Sequence, residues 1–343
     1  MGTECQNISA AWGAQRIKGL SVGKAILHFF KKLIPGVKNI KQKTTETSLI
    51  EQFLYPKFGP GQMWEEVGRS IEARGGKILM GHTTTALTVE GGKVTKVKAL
   101  DADGKEHTFS GDYFFSSMPV RELVNALDPL PSPEIKGVSD GLLYRDFITV
   151  GLLVDKTRVK PHREGELTDN WIYIHDPAVH IGRIQIFNNW SPYLVKEKEY
   201  LWLGLEYFCN EGDKLWNMSD EDLLALGEKE LIAIGLIEEG AISDGTVIRV
   251  EKAYPAYFGS FNRFEIVRAF LDSIYNLFPV GRNGMHRYNN QDHSMLTAMT
   301  AVATFIGSVL IPAVASLGAK SMATPIGWII AGIALLIGAG YLL

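Results

Sequence analysis

Phe278-Pro-Val-Gly-Arg-Asn-Gly-Met-His-Arg-Tyr-Asn-Asn-Gln-Asp-His-Ser-Met295 is the stretch on which the reading of this chain turns. It sets Gly281, Gly284, Arg282, Arg287, His286, Tyr288, Asp292 and several side-chain amides between an apolar run and a helix-like segment. Residues 277–280 read as a short buried strand, and residues from 294 onward read as a helix. A polar, glycine-bearing loop from a strand end to a helix start aims backbone N–H groups and a positive dipole at one spot. Such a loop suits an anionic or polar ligand. The same composition also fits a solvated surface loop, and composition alone does not choose between the two.

The spacing Gly281-Arg282-x-Gly284-x-x-Arg287-Tyr288-x-x-x-Asp292 resembles the C-terminal flavin-binding motif of UDP-galactopyranose mutases. It is also similar to that of FAD-dependent oxidoreductases of the amine oxidase and protoporphyrinogen oxidase type. With residues 289–295 included, it looks most like mutase-like bacterial flavoproteins found with glycan-synthesis enzymes. Ile8-Ser-Ala-Ala-Trp-Gly-Ala-Gln-Arg-Ile-Lys-Gly19, Tyr55-Pro-Lys-Phe-Gly-Pro-Gly-Gln-Met-Trp64 and Tyr254-Pro255 carry the resemblance outward.

What the resemblance implies is FAD as cofactor and a small-molecule substrate, a nucleotide sugar among the candidates. The cofactor would be held by Gly281, Arg282, Gly284, Tyr288 and Asp292, with Ser117, Met118 and Pro119 running beside the flavin. Arg282 would stabilise a reduced, anionic flavin through its permanently charged planar donor. Tyr288 would donate toward phosphate, and Asp292 would accept from ribityl hydroxyls. His286 either tunes the flavin or is structural. No catalytic acid or base is assigned. Such proteins open with a strand, a Gly-x-Gly-x-x-Gly turn and a helix that hold the pyrophosphate. No such turn occurs here, so the expectation is an N-terminally truncated member, and an oxidoreductase or mutase-like activity that is incomplete in this chain. The alternative is a catalytically silent, membrane-associated fragment that acts as a binding or scaffold module.

The expected fold is mixed α/β. It comprises a partial FAD-binding, Rossmann-like domain lacking its first βαβ unit, an antiparallel substrate domain and an apolar helical tail. The boundaries drawn are 1–75 for a helical part of the substrate region, then 76–140 with 258–305 for the partial FAD domain. The substrate domain takes 141–257, and 306–343 forms an apolar hairpin.

Periodicity supplies the elements. Helices are expected over 8–36 and 61–74, the latter stopping at Gly75-Gly76. Strand-like runs follow at 77–80, 84–90, 94–100 and 107–110, with hairpin signals at Gly91-Gly92 and Asp103-Gly104. Residues 112–119 read as a buried strand ending in a turn. Strands over 147–155, 170–175, 181–188 and 201–209 make a mainly antiparallel sheet, followed by a helix over 215–237 capped by Ser219. Aromatics such as Trp171, Tyr173, Trp190 and Tyr254 belong more often to a core than to a ligand.

The remaining signals bound the function. A formal net charge of -3 over 343 residues gives no reason to expect nucleic acid. Cys5 and Cys209 have no metal-ligand spacing, and the histidines lack partner spacing, so no metal is expected and a reducing, cytoplasmic setting is the simpler inference. No secretory signal is visible, and Gln6 stands where an N-myristoylation motif needs Ser or Thr. Between Asp292 and Lys320, and again after Lys320, no residue is charged. The segment beyond 305 is therefore read as an anchor to the inner membrane, with a buried core hairpin as the competing reading.

Overall fold

A computed structural model describes residues 54–160 and 167–305. The helix expected over 8–36, Cys5 and the apolar hairpin 306–343 lie outside the described residues. No helix among the described residues is long and apolar enough to cross a membrane.

Helix α1, Pro60–Ala73, starts on a proline whose missing N–H costs nothing there, and ends before Gly75 at φ 86°. The strand expected over 77–80 does not form. Ile78 turns back toward α1 beside Gly68, while Leu79 and Met80 stay exposed.

Strands β1 (Thr83–Glu90), β2 (Lys93–Leu100) and β3 (Glu106–Phe109) form the expected meander. Glu90 pairs with Lys93 across Gly91 and Gly92, both at positive φ, as a two-residue turn with the handedness of the strands requires. Strand β4 (Phe114–Ser116) is shorter than the 112–119 expectation and leaves Phe115 43% exposed, so it is not a buried strand. Helix α2 (Val120–Asn125), strand β5 (Leu127–Asp128) and helix α3 (Pro133–Asp140) follow, with Ser132 capping α3. Strand β5 runs parallel to β1 and completes the sheet order β3-β2-β1-β5.

Next come β6 (Tyr144–Asp155), β7 (Trp171–Tyr173), β8 (Arg183–Ile186), the single turn α4 (Phe187–Trp190) and β9 (Tyr200–Cys209). The strand expected to reach 188 stops at 186. Asn188 takes over the edge of β9 by accepting from Trp202 N–H and donating to the Tyr200 carbonyl. Helix α5 is Asp220–Ala233, inside the 215–237 expectation. Ser219 caps it by accepting from Asp222 N–H, and Gly235 at φ 75° ends it. Strand β10, Ile242–Pro255, was not anticipated and lies beside β6, giving the order β10-β6-β9-β8-β7. Helix α6 (Phe264–Asp272), strand β11 (Leu277–Pro279), the turn α7 (Gly281–Gly284) and helix α8 (Gln291–Phe305) complete the described chain.

These elements gather into two compact units, with junctions at 80/81, 143/144 and 253/254. One holds α1 with the five-stranded sheet and α5. Alternate residues of β6, β8 and β9 face α5: Ile148, Val150, Leu152, Ile184, Ile186, Leu203 and Leu205 are buried with Leu223 and Leu231. Burial of each such side chain contributes about 1.5–3 kcal/mol. The other unit packs Leu87, Val94, Val120, Leu123, Val124 and Leu142 against Val267, Leu271 and Leu277. Here β11 runs parallel to β4 and brings the motif-bearing loop alongside residue 116.

Asn276 locks that second unit together. Buried at the entry to β11, its side chain accepts from Val94 N–H at 2.8 Å and donates to the carbonyls of Val94 (2.9 Å) and Asp112 (3.0 Å). Asn276→Leu is expected to leave three interior backbone groups unpaired and to lower stability by about 2–4 kcal/mol, read as a lower denaturant midpoint at unchanged slope.

Candidate functional site

The motif loop closes onto the Ser116–Pro119 turn. Val280 N–H donates to the Ser116 carbonyl at 2.9 Å, extending the β4–β11 ladder by one rung. Gly281 follows at φ 75°, a left-handed conformation that favours glycine, and its N–H donates to Thr297 Oγ1 of α8 at 2.9 Å. Gly284 lies against the same turn. A Cβ built there would sit 2.5 Å from the Ser116 carbonyl oxygen and 3.3 Å from Ser117 Cα. The two glycines thus have separate reasons: one sets a backbone angle, the other permits contact.

Arg282 sits beside a pair of aromatic rings. Its Nε donates to the Asn289 carbonyl at 2.9 Å, and its guanidinium lies 5.1 Å from the Tyr254 ring centre and 5.2 Å from that of Tyr288. The two tyrosine rings stack 5.8 Å apart at 15°. Tyr288 N–H donates to the Tyr257 hydroxyl at 2.7 Å. Burial pushes that hydroxyl's pKa up, and the hydrogen bond from Tyr288 offsets part of the rise. Arg282 and Tyr288 are therefore the braces of the corner. Asn289 is buried and accepts from Ser294 Oγ at 2.7 Å, which ties the loop to the first turn of α8.

Asp292 stands in that first turn with its side chain 73% exposed and 3.4 Å from His293 Nδ1. Its carboxylate is favoured there by the helix dipole and accessible to a ligand. Of the turn residues, Ser117 is exposed, while Met118 and Pro119 are half-buried and Met118 N–H donates to Ser116 Oγ. The structure thus packs Gly284 directly on Ser116 and Ser117, with Met118 and Pro119 following in the same turn, Gly281 bonded to α8, and Asp292 at the start of α8.

His286 takes the structural role. It is buried at φ 44° among Phe261 and Phe264, and its Nε2–H donates to the Ala256 carbonyl at 3.1 Å. Burial lowers its pKa to about 4, against a partial rise from that carbonyl. Among the described residues no cluster of His, Cys, Asp or Glu has the arrangement of a metal site. Cys209 is buried as a free thiol whose pKa burial pushes up to about 11, the opposite of an activated nucleophile.

Sequence reasoning passed over Asn289, Thr297 and Ser294 as site builders, because amides and hydroxyls in a polar loop look alike until their partners are placed. It also passed over Arg183, Gln185 and Glu206, polar residues at alternate positions in otherwise apolar strands. That alternation was the available signal.

No family model and no curated protein sequence matches this chain. Solved structures do. The crystal structure of reduced UDP-galactopyranose mutase matches with a TM-score of 0.59 at 21% identity, over 81% of this chain and 55% of that one. A putative protoporphyrinogen oxidase from Exiguobacterium sp. 255-15 matches with a TM-score of 0.54 at 18% identity, over 74% of this chain and 52% of that one. The chain shares their fold and spans about half their length.

Two tests follow from this geometry. Gly284→Ala should force the loop off the Ser116 carbonyl and cost about 1–3 kcal/mol by thermal or denaturant unfolding. For His286 the folded pKa is depressed, so between pH 6.5 and about 4 the unfolded chain takes up a proton that the folded chain does not. Stability should fall as pH drops through that window, by roughly 3 kcal/mol in all, and His286→Gln should flatten the slope of a pH series of denaturant melts.

Proposed function

We propose that this chain contributes the C-terminal flavin-binding corner and the substrate-side sheet of a FAD-dependent oxidoreductase or mutase-like flavoenzyme. The observation that carries the reading is the contact of Gly284 with Ser116 and Ser117, which packs the Gly-Arg motif loop onto the residues 116–119 turn. Similarity of fold to UDP-galactopyranose mutase supports it, as does the motif spacing.

The residues present suit part of the cofactor. The first turn of α8 offers N–H groups and a positive dipole to an anionic or hydroxylated chain, and Asp292 offers an exposed acceptor beside them. Arg282, braced by Tyr254 and Tyr288, adds positive charge to the corner without the freedom to swing away. Flavin, when bound, would supply the electron-accepting or nucleophilic chemistry. This chain's own residues would hold the ribityl side, keep a cation nearby and exclude water with the tyrosine stack. Within this class, redox-neutral isomerisation of a nucleotide sugar and oxidation of an amine or porphyrinogen are separated by assaying sugar isomerisation against oxygen consumption.

Titration of the purified protein with FAD tests the proposal. Binding should shift the flavin absorbance and change its fluorescence, and Asp292→Ala should weaken binding roughly tenfold, the loss of one charge-assisted hydrogen-bonding group. A protein that stays colourless after FAD addition, with no change in flavin fluorescence, would sink the reading for this chain.

A further inference from the structure

The unit that bears the motif loop also holds a cleft to which that loop contributes nothing. Helix α3 forms one wall and the 3-10 turn Gly259–Arg263 forms the other. The space is about 390 Å³, with Glu134, Gly137 and Val138 on one side and Gly259, Ser260 and Arg263 on the other. Small-molecule sites have volumes of this order.

The two walls converge at one end. A Cβ built on Gly141, the residue that caps α3, would sit 2.0 Å from Ser260 Oγ, so the helix end and the turn touch there. About 10 Å back along the helix axis, Glu134 and Arg263 bridge the mouth as an ion pair. The turn is firm on its inner side. Phe261 stacks on Tyr257 with ring centres 4.5 Å apart and on Phe264 at 6.0 Å, which leaves Ser260 and Arg263 to line the cleft. The cleft is therefore preformed.

Folding does not explain Gly137. It lies inside an eight-residue helix, where glycine costs stability relative to alanine. Packing does not call for it, because a Cβ built there would meet no heavy atom within 4 Å. Backbone angle does not call for it either, since it is absent from the glycines at positive φ. What the missing side chain does provide is open space over the floor of the cleft, where a ligand can approach the helix backbone.

The ion pair at the mouth contributes little to folding, since Glu134 is 66% and Arg263 56% exposed. It does decide what can enter. A ligand with one charge engages one partner and leaves the other without its counter-ion. A ligand with both charges replaces both partners at once, its carboxylate on the Arg263 fork and its ammonium on Glu134.

We propose that this cleft binds a small zwitterion, a molecule with one ammonium and one carboxylate on a short apolar body, clasped between Glu134 and Arg263 over the Gly137 floor. The site is separate from the flavin-binding reading, because none of its residues belongs to the motif loop or to the 116–119 turn.

Ligand-observed saturation-transfer NMR on the full chain, without flavin, tests it. The probes are L-alanine, L-valine and 4-aminobutyrate, with acetate and propylamine as single-charge comparisons. At least one zwitterion should receive saturation and bind roughly tenfold more tightly than either comparison. Gly137→Leu fills the cleft from a position where leucine suits a helix better than glycine, so binding should be lost while the denaturant midpoint holds or rises. Arg263→Gln, on the exposed rim, tests the clasp without filling the cleft. It should weaken binding roughly tenfold with the circular dichroism spectrum unchanged. The proposal is overturned if no zwitterion receives saturation, if acetate or propylamine binds as tightly, or if either variant binds like the parent.

Discussion

The motif-bearing corner depends on one close approach. Strand β11 runs parallel to β4, one further rung joins Val280 to Ser116, and the loop then doubles back so that Gly284 touches the backbone of residues 116 and 117. No side chain fits in that contact. Two segments more than 160 residues apart are thereby held in one place, and Arg282, Tyr288 and the first turn of α8 take their positions from it. Asn276 secures the arrangement from behind by satisfying backbone groups on both β2 and the residue 112 turn.

One arginine in each unit is held in a similar way, by aromatic rings and a hydrogen-bonded partner. Arg282 is set beside the stacked Tyr254 and Tyr288 rings and bonded to the Asn289 carbonyl. Arg183 is set over Trp171 and Tyr173 and bonded to Glu206. In each pair of braces the aromatic rings shield the guanidinium face while its edge remains directional. His286 shows the opposite outcome. Its burial among phenylalanines and its bond to Ala256 keep it neutral and remove it from any chemistry of the corner.

Much of the architecture was legible. The glycine pair at 91 and 92 specified a hairpin because a two-residue turn with both φ angles positive matches strand twist and glycine adopts it freely. Ser219 marked a helix start, and the alternation across 201–209 marked a strand with one buried face. Errors fell where a partner decided the matter. Residues 77–80 have strand-forming side chains but join none of the sheets among the described residues, and 187–190 leave the sheet because Asn188 bonds to β9 through its side chain. Strand β10 was missed because Gly245 and its charged neighbours dilute the apolar pattern; its partner β6 supplies the ladder.

Local chemistry therefore determined the turns, the caps, the alternating strands and the presence of a glycine-arginine loop before a helix, since each depends on a few adjacent residues. It did not determine what those side chains touch. That Gly284 abuts Ser116, that Arg282 lies beside the stacked Tyr254 and Tyr288, and that Glu206 is buried under Arg183 are decided by segments distant in sequence. Such contacts exist only once loop closure has brought them together, and no short window contains both partners.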